Sequence, residues 1–259
     1  MHDPGGLGQD IAQFVADPKA DALGAALLVG RALTEDFDAP GCRSHLDNLA
    51  DDCPPSLDPW IYLADLGFSG SGGDFDAVNN SRLDWVLDNR QGIPISLGVL
   101  LIHVSQRSGR EAVGINFPGH FLVQVGSQLV DPLTMASVSQ DECLTRFGQG
   151  QQAPAGGVVA LFQEAEPRTI LLRMLNNVKY QFASAAEWDR ALDMVDWQLC
   201  VQGDSAQLFL ERGELWRRLG GTMAARAAYE QAMRVSGDSQ LRAAAQSRLA
   251  NLGADEVVH

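Results

Sequence analysis

The stretch NRQGIPISLG at residues 89–98, with PGHFLVQV at 118–125 after it, decides how the chain is read. A Gly-containing turn runs into an apolar helix, and a lone His then stands beside a Gly ahead of a strand-like run. That order matches a thiol-type active site, in which a helix N-terminus lowers the pKa of a nucleophile and a later strand supplies the base. The turn, however, contains Pro94 and, two residues on, Ser96, and no Cys.

Around this stretch, residues 81–90 (SRLDWVLDNR) read as a short amphipathic helix. Residues 95–109 (ISLGVLLIHVSQRSG) are apolar on nearly every side and end at Gly109, which predicts a buried central helix. EAVGINF (111–117), HFLVQVG (120–126) and SQLVDPL (127–133) follow as three strands separated by Pro-Gly and Gly-Ser turns. A buried helix followed by an antiparallel sheet predicts an α+β domain over 76–165. If the last two strands form a hairpin turning at Gly126-Ser127, His120 and Asp131 become neighbours. The Asp then fixes the imidazole tautomer and leaves the other ring nitrogen as a base.

On the N-terminal side, 8–52 read as helices, with Asp or Pro at their starts, and 54–75 as a turn-rich connector. Residues 1–75 are expected to pack on the core. On the C-terminal side, 166–259 read as all-helical with an internal repeat. DRALDMVDWQLCVQGD (189–204) superimposes on MAARAAYEQAMRVSGD (223–238) with an offset of 34, the tetratricopeptide period. Phe209, Gly213, Trp216, Gly220, Ala225, Tyr229 and Ala232 are large and small residues at the places where two antiparallel helices must interlock.

Taken together, LDWVLDNRQGIPISLGVLL, VGINFPGHFLVQV and LVDPLT, with tetratricopeptide-like helices after them, resemble the SirB-type transglutaminase-like proteins of bacteria. The resemblance implies a transglutaminase-like (papain-like) core. Active members of that wider superfamily open the helix with Arg-x-Gly-x-Cys and close it with a Gly. Arg90, Gly92 and Gly109 match, Pro94 falls where the Cys belongs, and His120 and Asp131 match the other two triad members. Ser96 lies two residues further on, about 200° around the helix at ~100° per residue, and so points away from a base that faces position 94.

The resulting expectation is a non-catalytic or atypical transglutaminase-like module that binds a protein or peptide, in a regulatory role that the family name suggests. Arg90, Pro94, Asn116 and Trp216 are its expected binding positions. The alternative is a hydrolase or acyl transferase acting on peptide or amide bonds, with Ser96, Cys42 or Cys53 as nucleophile, His120 as base and Asp131 as orienter. A third class is a purely structural scaffold. His103 reads as a satisfied core histidine and His45 as solvated.

Composition narrows the partners. Nineteen basic against 33 acidic residues give a net charge of −14, which disfavours nucleic acid and anionic membranes. The four Cys lack metal-ligand spacing, so neither a zinc site nor any other cofactor is expected, and a Cys42–Cys53 disulfide requires an oxidising compartment. GFSGSGGDF (67–75) has no Lys-Ser/Thr and reads as a flexible loop. The polar N-terminus, with no apolar run near the ~20 residues of a membrane span, gives the expectation of a cytoplasmic protein.

Overall fold

A computed structural model describes residues 6–70, 78–147 and 157–255. The chain divides into two compact units, one of residues 16–174 and one formed by 1–15 together with 175–259.

In the first unit the helices α2 (Ala22–Leu33), α3 (Ala39–Asp51), α4 (Pro59–Asp65) and α5 (Leu83–Asn89) surround α6 (Pro94–Arg107); α1 (Leu7–Ala16) precedes them in the chain. Asp21 and Asp38 cap α2 and α3, each accepting a backbone N–H three residues on, from Gly24 at 2.6 Å and Gly41 at 2.9 Å. Helix α4 corrects the reading of 54–75 as connector. Asp58 and Pro59 start it, and Trp60 and Leu63 bury its inner face. Of GFSGSGGDF, Ser69–Gly70 form strand β1, parallel to β2 (Gln91–Gly92), and 71–75 lie outside the described residues.

Helix α6 is the core, with residues 95–102 all buried. It ends in a Schellman motif, in which Gly109 takes φ +79° and the N–H groups of Gly109 and Arg110 donate to the carbonyls of Gln106 and Ser105. Against it packs the antiparallel sheet β3 (Ala112–Ile115), β4 (Leu122–Val125), β5 (Gln128–Asp131), β6 (Ala136–Ser137), in that spatial order. The β4–β5 hairpin turns at Gly126-Ser127 as its sequence predicts, with Val125 opposite Gln128 and Val123 opposite Val130. The strand expected from His120 begins at Leu122, because 117–120 form a turn.

Helix α7 (Gln140–Phe147) and the two-residue β6 have no counterpart in the periodicity reading, and VVALF at 158–162 is a 3-10 helix. Helix α8 (Pro167–Ser184) runs from the first unit into the second. There α9 (Trp188–Gln202), α10 (Ala206–Arg218), α11 (Thr222–Val235) and α12 (Ser239–Asp255) pack successively. The starts of α9 and α11 are 222 − 188 = 34 residues apart. Gly213 of α10 lies against Tyr229 of α11 so closely that a Cβ there would be 2.3 Å from the ring.

Candidate functional site

Three segments meet at the α6 N-terminus. Arg90 ends α5 at φ +57°, and its Nη1 donates to the Leu66 carbonyl at 2.5 Å. Its own carbonyl accepts the Ser69 N–H, while the Gly70 N–H donates to the Leu133 carbonyl at 2.8 Å. Strand β1 therefore ties the Arg90–Gly92 turn to the turn that follows Asp131. Pro94 occupies the first helical position, where its missing N–H leaves no intrahelical bond unmade.

Ser96 is fully buried. Its hydroxyl donates to the Asn80 carbonyl at 2.6 Å and accepts the Ile93 N–H at 3.1 Å, so it serves as the helix-start bonder. Gly92 makes room for it, since a Cβ there would be 2.8 Å from the Ser96 Oγ and 3.0 Å from the Leu97 Cγ.

His120 is presented by a Pro118-Gly119 turn, in which Gly119 has φ +74° and the His120 N–H donates to the Phe117 carbonyl at 3.0 Å. The next residue, Phe121, locks that turn to the core. Its ring lies against Gly98 of α6 and Gly114 of β3, where a Cβ would be 2.7 and 2.5 Å from ring carbons. The hairpin register then brings Asp131 to His120, whose Nε2 is 2.8 Å from Asp131 Oδ1; the two residues are 5% and 2% exposed. The same Oδ1 accepts the Leu133 N–H at 2.9 Å.

The thiols are poorly suited to attack. Burial, then the charges of Asp84 and Asp38, pushes Cys42 up to about 12. Cys143 of α7 is fully buried, and burial followed by the Asp131 and Glu142 charges pushes it up to about 11. Cys53 is buried and Cys200 exposed, and none of the four cysteines is in a disulfide. His103 is half-buried and pairs with Asp47 at 2.9 Å, and His45 is exposed. Among the described residues no cluster of three or more His, Cys, Asp or Glu is arranged to hold a metal, and no helix is long and apolar enough to cross a membrane.

Of the expected binding positions, Asn116 is exposed on the strand-to-turn corner, and its Oδ1 accepts from Arg173 Nη1. Trp216 lies in the other unit, half-buried against the Tyr229 cluster, and its indole N–H has no acceptor among the described residues. Arg173 itself was missed by sequence reasoning, because nothing in TILLRML marks it and 173 − 120 = 53 residues separate it from His120. Its Nη1 also donates to the Phe117 carbonyl at 3.2 Å, and its guanidinium stands 5.7 Å from the Phe121 ring centre.

Residues 60–176 match the transglutaminase-like superfamily. A UPF0162 protein of Xylella fastidiosa (strain Temecula1) is 34% identical over 163 residues, covering 60% of this chain and 58% of that protein. The UPF0162 protein of Pseudomonas aeruginosa is 30% identical over 167 residues, 63% of this chain and 62% of its own length. Mouse F-box only protein 21 is 26% identical over 174 residues, 27% of its length. The chain spans about three fifths of the length of these bacterial relatives, and no solved structure matches it. Over residues 60–176 the chain carries a transglutaminase-like superfamily domain.

Proposed function

We propose that this is an atypical, non-catalytic transglutaminase-like protein whose work is to bind a protein or peptide in a regulatory role, as its SirB-type resemblance suggests. One observation carries the reading. At the α6 N-terminus, where the resemblance calls for a thiol, Pro94 fills the first helical position and the Ser96 hydroxyl is bonded to Asn80 and Ile93. A nucleophile has to reach its base within hydrogen-bond distance, and Ser96 has its bonds elsewhere. The His120–Asp131 pair then orders the turn and does not drive an acyl transfer.

The tetratricopeptide-like helices supply a docking surface on this reading. A cavity of about 470 Å³ opens among Lys179, Trp188, Glu211, Leu241, Ala244 and Arg248. Apolar walls with charges of both signs suit an extended peptide. The matched stretch is 27% of mouse F-box only protein 21, which supports a domain that works as one module among others.

The test has two arms on the full chain. Fluorophosphonate and iodoacetamide probes should give no labelling that depends on His120, and label lost in His120→Ala would establish the enzyme instead. Peptides selected from a random library should bind the wild type and lose binding in Ala244→Arg, which fills the cavity. Undiminished binding by that variant removes the helical surface from the proposal.

A further inference from the structure

Arg173 is a cation with no counter-ion among the described residues. Among the described residues no carboxylate lies within ion-pair distance, and its two hydrogen bonds go to neutral acceptors, Asn116 Oδ1 and the Phe117 carbonyl. Both come from one nitrogen, Nη1. The Nε–Nη2 edge, the side that grips a carboxylate with two parallel bonds, has no protein acceptor among the described residues. The group is half-buried, and burial pulls its pKa down from the ordinary arginine value.

An unpaired charge in such a place is costly, and neither the Phe121 ring face nor two neutral oxygens repays it in full. Its placement is also specific, since Asn116 and Phe117 lead directly into the turn that presents His120. In a chain of net charge −14, a lone guanidinium held in this way selects a single anionic group and not a polyanion.

We propose that Arg173, oriented by Asn116 and the Phe117 carbonyl, is the carboxylate-binding group beside the His120 turn. It grips a carboxylate of the domain's ligand, a peptide C-terminus or an acidic side chain, through its Nε–Nη2 edge. This rests on the reading that the protein binds a protein or peptide, and it names the group that such a ligand presents to residues 16–174, independently of the helical docking surface.

The test follows the Arg173 Nε–Hε resonance of the isotopically labelled full chain, identified by its disappearance in Arg173→Lys. Titration with N-acetylalanine should move it saturably, and N-acetylalanine amide should bind at least about tenfold more weakly, the loss of one charge-assisted pair. Equal displacement by acid and amide, or a response to inorganic phosphate alone, overturns the assignment. A folded Arg173→Met variant should melt at the same or a higher temperature, because it removes an unpaired charge, and N-acetylalanine should raise the melting temperature of the wild type and not of this variant. A lower melting temperature makes Arg173 a strut for the turn and overturns it as well. Peptide capture that survives a failed acid titration sinks this inference alone, whereas an intact acid response with no peptide capture sinks the docking surface alone.

Discussion

The pair His120–Asp131 shows how much a single buried contact demands of its neighbours. Asp131 holds both the imidazole and the Leu133 N–H, so Asp131→Leu strands a buried ring nitrogen and a half-buried N–H. That should cost about 2–4 kcal/mol in urea unfolding. Gly92→Ala should cost about 1–3 kcal/mol, through the close approach of its Cβ to Ser96 Oγ and Leu97. Both halves of the His–Asp pair are legible in the sequence, because a two-residue Gly-Ser turn leaves only one register for the hairpin. Arg173 is not legible, because only the packing of α8 against the His120 turn gives it a role. Arg90 is recognisable as part of a motif, yet the motif does not disclose that its guanidinium clasps the Leu66 carbonyl.

The helices divide by how loudly their ends speak. The long runs α2, α3 and α6 announce themselves through periodicity and caps, whereas the seven residues of α4 are too few for a period to emerge between two prolines and a Gly-rich stretch. Helix α7 carries its own signal, Ser139 with Glu142 three residues on. The Ser139 N–H donates to Glu142 Oε2 at 2.8 Å and the Glu142 N–H to Ser139 Oγ at 3.1 Å, a capping box. These bonds hold the Glu142 carboxyl below its ordinary value of 4.5, the Ser139 backbone N–H first and its hydroxyl second. A depressed carboxyl stabilises the fold above its unfolded value and loses that contribution as pH falls through the folded one. Protection of the 140–147 amides, relative to their intrinsic exchange rates, should therefore fall below about pH 4.5 in the wild type, and Glu142→Gln should show no such step. In the other unit Gly213→Ala should destabilise the α10–α11 pair by about 2 kcal/mol or more, read from the exchange of its amides, because the Tyr229 ring has to move.

Across the whole chain the cysteines report on integrity. At pH 8 iodoacetamide should modify Cys200 rapidly, and Cys42, Cys53 and Cys143 only as the protein unfolds. The folded state favours the protonated form of Cys42 and Cys143, so their contribution to stability is present below the ordinary thiol value of 9.0. It is lost as pH rises from there toward about 11 and 12, and alkaline denaturation should set in above pH 9. The core domain is visible in the sequence because its motifs are local and regularly spaced. The grouping of residues 1–15 with 175–259 is not, because no local pattern ties segments so far apart in the chain. That grouping has a consequence for synthesis. Helix α1, with Leu7 and Ile11 buried, leaves the ribosome before residues 16–174, and the rest of its unit follows after residue 174. At ordinary elongation rates roughly 10–30 s separate the two stretches of that unit, long enough for residues 16–174 to fold before the second stretch is made.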